Sequence, residues 1–322
     1  MAGGPTTVDL AAEVTAAGGL AFLAAGYRTG AQVAADVAAL RARTDRPFGV
    51  NVFLPGAPTA DLAAVRAYAA RLAPAAARLG VELGEPRWDD DDLEATLAAV
   101  AGVPVVSTAF GCPEPALVAR LHAAGSAVVV TVGSVAEARE AERAGVYGLV
   151  VQGDEAGGHR GGAHDSGAVP PLGELLPAVR AAVGVPLWAA GGLMTGADVA
   201  GVLRLGADAA VLGTAFLACP EAGTSAVHRA ALTDPRFDRT VVTRAFTGRS
   251  ARGLANAFAR EHAAHAPAAF PEVHAVTRPL RVEATRRGEP DLLHLWAGTG
   301  WQRMRALPAA DLVRTLAEEV AA

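Results

Sequence analysis

The sequence predicts an α/β protein: a parallel (β/α)8 barrel whose first strand is missing, followed by a carboxy-terminal helical and irregular extension. Short apolar runs alternate with alanine-rich amphipathic segments, a pattern typical of a parallel sheet covered by helices. Glycine-rich loops follow several of these runs, as expected of a barrel, whose active site lies at the carboxyl ends of its strands. We assign residues 1–239 to the barrel and residues 240–322 to the extension.

The apolar runs predict seven strands, at residues 20–24, 48–54, 103–108, 127–132, 147–152, 186–190 and 209–213. The amphipathic segments between them predict helices at residues 31–43, 61–79, 114–124, 135–144, 172–183 and 197–205. An acidic run at residues 89–92 predicts the start of a further short helix, because negative side chains stabilise a helix amino terminus.

The beginning of the chain lacks the strand that a complete barrel requires. Residues 1–7 are typical of a loop that follows a strand, and residues 8–17 predict the first helix, with Thr6 or Thr7 as its N-cap. A missing first strand would leave its two neighbours with open edges. We therefore expect the natural protein to begin upstream of Met1 with a short apolar strand. The alternative is that part of the chain after Thr240 covers the gap.

The composition excludes several chemistries. The 322-residue chain is 52% hydrophobic and contains neither lysine nor isoleucine. Without lysine, a Schiff base, pyridoxal phosphate attachment and a lysine-bearing P-loop are impossible. The sequence also lacks G-x-G-x-x-G and G-x-S-x-G motifs, which disfavours a Rossmann dehydrogenase and an α/β-hydrolase.

Charge and hydropathy restrict the partners and the location. The net charge of −5, without a basic stripe, argues against nucleic-acid binding. No apolar stretch approaches the roughly 20 residues of a membrane helix, and the first residues lack the basic region of a signal peptide. Two cysteines do not make a disulfide framework. These features predict a cytoplasmic protein that binds no membrane, and they leave open whether it forms a homodimer.

A glycine-rich loop at residues 153–162 follows the predicted strand 147–152 and contains one histidine, His159. Glycine lets a backbone approach a ligand closely, and histidine is the side chain best suited to move protons near neutral pH. The loop therefore predicts a cofactor site with His159 as a general base. The alternative is a mobile surface histidine.

Two further glycine loops, at residues 189–192 and 212–214, end consecutive strands. In barrels of this class, the loops after strands seven and eight frequently bind phosphate through backbone N–H groups. Together with the histidine loop, they favour a phosphate site over simple tight turns. Asn51 is a polar residue inside an apolar strand and needs a partner, which is either a ligand or a backbone group.

Other conspicuous side chains have structural interpretations. Arg160 either holds an anionic substrate or pairs with Asp154 or Glu155, whereas His164 is predicted to be solvated. Cys112 has no identifiable basic partner and is interpreted as structural. No H-E-x-x-H metal motif is present, and a solvated helix face is predicted for three histidines of the extension: His262, His265 and His274.

Several segments match a known family when they are taken together: residues 1–4, 17–27, 49–55, 152–161, 190–192, 212–217, 243–249 and 295–298. They resemble the class I nitronate monooxygenases, formerly called 2-nitropropane dioxygenases, which are FMN-dependent barrel enzymes. The segment 157–161, two glycines followed by histidine, arginine and glycine, is the most specific of them. The resemblance covers nearly the whole chain.

The resemblance implies roles for individual residues. His159 would be the catalytic histidine, and Asn51, Gln152 and Gly157 would contact the isoalloxazine or ribityl part of FMN. Backbone groups would hold the phosphate end, at Gly192, Val211, Leu212, Gly213 and Thr214. Three features depart from the family: the absent first strand, Thr299 in place of an expected glutamine, and Val211 in place of a common polar residue.

The implied activity is the oxidation of alkyl nitronates by O2 to a carbonyl compound and nitrite. Neutral His159 would take the α-proton of a nitroalkane, whereas protonated His159 would bind a nitronate anion. Two alternatives remain open: an FMN-dependent NAD(P)H reductase of quinones or enoyl thioesters, and a non-catalytic flavin-binding protein.

Overall fold

The computed structural model describes residues 1–165 and 168–322 of the chain. Within them, seven strands form one parallel sheet in the order β1–β2–β3–β4–β5–β7–β8. These strands are β1 Phe22–Ala24, β2 Gly49–Phe53, β3 Val105–Ala109, β4 Ala127–Val132, β5 Gly148–Gln152, β7 Leu187–Ala190 and β8 Ala209–Val211. All seven coincide with predicted strands. A second, antiparallel sheet has the order β6–β10–β9, with β6 Gly158–His159, β9 Thr240–Thr243 and β10 Ala251–Leu254.

The helices of the described residues surround the parallel sheet and build the extension. They are α1 Val8–Ala16, α2 Gly30–Arg41, α3 Leu62–Leu79, α4 Leu93–Ala99, α5 Pro115–Ala123, α6 Val135–Arg143, α7 Leu172–Arg180, α8 Gly196–Arg204, α9 Ala226–Ala231, α10 Ala257–His262, α11 Glu272–Arg287 and α12 Ala309–Ala321. Thr7 caps α1 by accepting a hydrogen bond from the N–H of Leu10, whereas Thr6 accepts one from the amino group of Met1. The acidic run directly precedes α4, as predicted.

The parallel sheet curls into a barrel. Phe22 of β1 and Trp188 of β7 are far apart in the strand order, yet their rings contact each other edge to face with centroids 6.1 Å apart. Both rings must therefore point into the barrel interior. Gly49 leaves room for Phe22, because a Cβ atom at this position would lie 2.3 Å from that ring. Alternate strand residues, such as Val50 and Val128, pack outward against the helices. The predicted barrel-like α/β fold is confirmed.

The barrel remains open between β1 and β8, which form the two edges of the sheet. Among residues 1–165 and 168–322, no strand pairs with either of these outer edges. Helix α12 packs against both α8 and α1, the helices that flank the opening. Glu319 of α12 accepts a hydrogen bond from the N–H of Gly196 at the start of α8 (2.6 Å). The last helix of the extension therefore covers this side of the barrel.

The extension contains two strands, β9 and β10, that the sequence pattern does not predict. Strand β10 pairs with β9 and with β6, which lies inside the glycine-rich histidine loop. Aromatic and aliphatic residues of the extension also share a hydrophobic cluster with α3, including Phe246, Phe258 and Leu280 against Tyr68 and Leu72. The extension therefore fixes the histidine loop. In the part of the chain that the structure describes, no helix combines the length and apolar character needed to cross a bilayer.

Candidate active site

The glycine loops after three neighbouring strands lie side by side. The strand register places Gln152 of β5 opposite Ala190 of β7, and Ala190 opposite Val211 of β8. After β7, the backbone turns through Gly191 and Gly192, whose φ angles are +127° and +71°. Such angles strongly favour glycine. The loops predicted to bind phosphate therefore meet at one edge of the barrel.

The histidine loop is held by the amide of Gln152 and by strand β10. Gln152 Nε2 donates to the carbonyl oxygen of His159 (3.1 Å), and its Oε1 accepts from the N–H of Gly161 (2.8 Å). His159 is paired with Ala251 of β10, and the N–H of Arg160 donates to the carbonyl oxygen of Ser250 (2.8 Å). The backbone of the loop is therefore paired with β10, and His159 is partly buried rather than exposed.

Asp154 joins the same loop to the extension. Its carboxylate accepts hydrogen bonds from Arg160 and from Arg252, and both guanidinium groups also donate to its carbonyl oxygen. Only 2% of the Arg160 side chain is exposed. Of the two interpretations of Arg160, the structure supports the ion pair with Asp154.

Three aromatic rings surround the imidazole of His159. The ring centroids of Phe110, Phe270 and Trp296 lie 5.6, 5.7 and 5.5 Å from the imidazole, each in an edge-to-face arrangement. The Nε2 atom of His159 lies 2.9 Å from Oγ1 of Thr247. Among the described residues, the arrangement provides an apolar enclosure in which the imidazole makes one polar contact, to Thr247.

Burial, together with two positive charges, keeps His159 neutral. Burial is the largest cause that lowers its pKa from 6.5 to about 3, followed by the charges of Arg249 and Arg281. The guanidinium of Arg249 lies over the ring of Phe110, 4.2 Å from the centroid, and donates to the carbonyl oxygens of Arg160 and Gly162. A neutral imidazole can accept a proton near pH 7, so the chemistry of a general base is available here.

The other residues predicted to contact FMN also lie at this end of the barrel. Asn51 Nδ2 donates to Oγ of Ser107 on the adjacent strand (2.9 Å). Gly157 packs against the extension, since a Cβ atom on it would lie 2.4 Å from the backbone nitrogen of Gly298. That same nitrogen donates to Thr214 Oγ1 (2.9 Å). The extension therefore contacts two of the glycine loops directly.

The remaining strand-end positions differ in what surrounds them. Val211 packs with the residues of the barrel interior, and Leu212 packs between the sheet and its helices. A Cβ atom on Gly213 would meet nothing closer than the side chain of Met1 at 3.7 Å. Thr299, the departure from the family, faces the Gly192 loop: a Cβ atom on Gly192 would lie 3.4 Å from Thr299 Oγ1.

The prediction of a solvated face for the histidines of the extension is wrong for two of them. His274 stacks on the ring of Tyr27 with centroids 4.3 Å apart, and its Nδ1 lies 3.1 Å from Nη2 of Arg281. His262 is buried against Phe258, whereas His265 is exposed. The error arises because α10, which carries His262, and α11, which carries His274, both pack into the extension, so a polar residue on them does not indicate solvent.

The remaining predictions on polar side chains agree with the structure. The side chain of His164 is 80% exposed. Burial raises the pKa of the Cys112 thiol to about 11, which suits a structural residue better than a nucleophile.

Sequence reasoning did not identify four side chains that surround the site: Tyr27, Thr247, Arg249 and Arg281. Three of them lie in segments that match the family, 17–27 and 243–249, so the resemblance itself could have pointed to them. Arg281 lies outside those segments, and nothing in its local sequence distinguishes it from the other arginines of α11.

Comparison with known proteins identifies the family. The nitronate monooxygenase family model matches residues 1–319. The chain belongs to the nitronate monooxygenase family. A nitronate monooxygenase of Pseudomonas aeruginosa is 39% identical to it over an alignment of 334 positions, gaps included. The alignment covers 98% of this chain and 93% of that protein.

Solved structures agree with this family assignment. The nitroalkane oxidase of Streptomyces ansochromogenes has a TM-score of 0.97 and 50% sequence identity, covering 100% of this chain and 94% of that chain. FabK from Thermotoga maritima is more distant, with a TM-score of 0.74 and 26% identity over 100% of this chain and 90% of that chain. Nitronate monooxygenases are oxidoreductases, so the predictions of family and of an enzyme are confirmed.

Proposed function

We propose that this member of the nitronate monooxygenase family binds FMN and oxidises alkyl nitronates, or the nitroalkanes from which they form, with O2. The products are a carbonyl compound and nitrite. The observation that carries the proposal is the neutral imidazole of His159, enclosed by three aromatic rings beside the joined glycine loops. The similarity to a nitroalkane oxidase over the whole chain supports the substrate class.

The residues present fit FMN. Gly191 and Gly192 have no side chain of their own to cover the backbone at the end of β7, and a Cβ atom on Gly213 would meet nothing closer than 3.7 Å. These positions would hold the phosphate through backbone groups. The amides of Asn51 and Gln152 lie at the same barrel end and would contact the ring or the ribityl chain. Bound flavin supplies the electron acceptor and the reactivity towards O2.

His159 would hold or move the proton. A nitroalkane carries an acidic hydrogen on the carbon next to its nitro group, and a neutral imidazole within reach can remove it. Because burial lowers its pKa, the imidazole is neutral and offers a free lone pair to that proton rather than a positive charge to a preformed nitronate. The aromatic rings of Phe110, Phe270 and Trp296 would contact the alkyl part of the substrate and exclude water from the proton transfer.

The proposal is tested by purifying the protein and measuring bound FMN per chain. Oxygen consumption and nitrite release are then followed with ethylnitronate and with nitroethane. We expect near-stoichiometric FMN and turnover of both compounds. Rapid anaerobic bleaching of the flavin by NAD(P)H, with no nitrite formed, would instead establish the reductase alternative. Retained flavin without turnover of any nitronate or quinone would indicate a binding protein.

A further inference from the structure

The guanidinium of Arg281 is buried without a carboxylate partner. The residue is 6% exposed, and no ion pair forms with it among residues 1–165 and 168–322. Its donors instead meet neutral acceptors. Nη2 lies 3.1 Å from Nδ1 and 3.2 Å from the carbonyl oxygen of His274, Nη1 lies 3.4 Å from Nδ1 of His294, and Nε lies 3.2 Å from Oγ1 of Thr277. Because a guanidinium can only donate, both imidazole nitrogens must accept and both rings are neutral. A buried positive charge surrounded by neutral groups creates a place for an anion.

The hydroxyl of Tyr27 is a second group without a partner at this place. It is buried and makes no hydrogen bond within the described part of the chain. Burial raises the pKa of Tyr27, so the hydroxyl keeps its proton, and Arg281 is the charged group that acts on it most strongly. A buried hydroxyl without a partner destabilises the protein, because it has lost its hydrogen bonds to water. A ligand oxygen would provide the missing partner.

The position of the Tyr27 side chain is fixed by its surroundings. The ring stacks on His274 with an interplanar angle of 5°. The backbone is in the left-handed region, with φ +68°, and the N–H of Tyr27 donates to the carboxylate of Asp91 (3.1 Å). The preceding Gly26 packs against Phe53, whose ring a Cβ atom would approach to 2.3 Å. The hydroxyl is therefore held in place rather than free to seek another partner.

One aromatic ring links these groups to the proposed base. Phe270 contacts Tyr27, His274 and His159, with ring centroids 6.3, 6.5 and 5.7 Å apart. The charge of Arg281 also acts on both Tyr27 and His159. The unpaired hydroxyl and the base thus lie against the same phenylalanine ring, and Arg281, which has no carboxylate partner, contacts His274, the third ring against it.

We propose that Tyr27 and Arg281 bind the nitro group of the substrate. This assignment rests on the proposed function. As His159 takes the α-proton, the C–H bond breaks, an N–H bond forms, and the electron pair moves onto the two nitro oxygens. Tyr27 donates a hydrogen bond to one of these oxygens, and Arg281 stabilises the negative charge. Both interactions strengthen as the charge develops, which is the condition for accelerating the step.

The test uses the flavin-loaded protein and nitrate, an unreactive planar anion with the same arrangement of oxygen around nitrogen. The dissociation constant of nitrate is measured from its effect on the flavin absorbance. Tyr27→Phe removes only the hydroxyl and keeps the ring stack. We expect this variant and Arg281→Met to weaken nitrate binding at least about tenfold, and Tyr27→Phe to lower kcat/KM for nitroethane on the order of 10²-fold.

Tyr68→Phe is the matched control. The hydroxyl of Tyr68 is also buried, but it donates to the carbonyl oxygen of Ala245 (2.7 Å), so its loss should affect stability and leave nitrate binding unchanged. If Arg281→Met does not fold, Tyr27→Phe decides the question alone. Nitrate binding that is absent from the parent, or equal in the parent and Tyr27→Phe, would overturn the assignment. Binding lost in Tyr27→Phe in a protein that turns over no nitro compound would uphold the anion site and refute the proposed function.

Discussion

The Nε2 atom of His159 lies 2.9 Å from Oγ1 of Thr247, and this contact determines which ring nitrogen carries the proton. The same hydroxyl lies 3.2 Å from the carbonyl oxygen of Arg249. A hydroxyl has only one hydrogen, so its direction sets the tautomer. Turned to Arg249, Thr247 accepts the N–H of His159 at Nε2 and leaves Nδ1 as the basic atom; turned to His159, it donates to Nε2 instead.

Thr247→Val should remove the hydrogen bond that orients the His159 imidazole. The loss of one orienting hydrogen bond, worth about 1 kcal/mol, predicts a roughly fivefold to tenfold lower kcat/KM for nitroethane. Thr247→Ser should restore most of the activity. Thr243→Val serves as the control, because Thr243 Oγ1 accepts from the N–H of Ala245 and does not contact His159. Steady-state kinetics in which the valine variant matches the parent would show that the hydroxyl does not orient the base.

His159→Asn should remove most of the turnover of neutral nitroalkanes while keeping FMN. Loss of a general base typically costs about 10²–10⁴-fold in rate. Ethylnitronate has already lost the α-proton, so its turnover should fall much less. His164→Asn is the control on the same loop, because that side chain is exposed. If both substrates react equally with the parent and with His159→Asn, the histidine is a bystander.

Two glycine substitutions should distinguish a loss of FMN caused by backbone strain from one caused by a blocked contact with the cofactor. Gly192→Val combines a positive φ of +71° with a Cβ position 3.0 Å from Glu155, and it should lose FMN. Gly213→Ala is the sharper variant, because neither its φ of −118° nor its surroundings oppose a methyl group. If FMN contacts this loop closely, the FMN dissociation constant should rise about tenfold, equivalent to about 1.4 kcal/mol.

The matched control is Gly18→Val, which has a comparable positive φ of +95° and open space around it. Thermal unfolding and the FMN-to-protein ratio are measured for all three variants. Undiminished FMN in folded Gly192→Val and Gly213→Ala would refute the phosphate assignment.

Stability should fall as the pH is lowered from 7 to 5. Burial is the largest cause that lowers the pKa of five histidines: His159 to about 3, His228 to about 4, His274 to about 2, His294 well below its ordinary value, and His262 by a smaller amount. The unfolded chain binds these protons near pH 6.5, whereas the folded protein does not. Each histidine therefore reduces the free energy of unfolding by up to about 1.4 kcal/mol per pH unit below that value.

Urea unfolding at pH 7, 6 and 5 measures this dependence. Folded His274→Gln should show a slope smaller by about one proton, because the substituted side chain no longer titrates. A free energy of unfolding that stays constant over this range would contradict the prediction.

The barrel was largely predictable because its signals are local. Each strand is a short apolar run, and Thr7 and Thr29 cap α1 and α2 through hydrogen bonds to residues three positions along the chain. Strands β6 and β10 were not predictable in this way. Strand β6 has two residues, and its partners lie about 90 positions later in the chain. Such pairing leaves no periodic pattern in either segment.

The sequence by itself determined the strand and helix order, the glycine loops, the position of His159 and the family. Only the tertiary structure decided that Tyr27, His274 and Arg281 lie beside that histidine, and that Arg160 pairs with Asp154. The physical reason is the range of the interactions. Backbone conformation and capping depend on near neighbours in the chain, whereas the partner of a buried polar side chain depends on how distant segments pack.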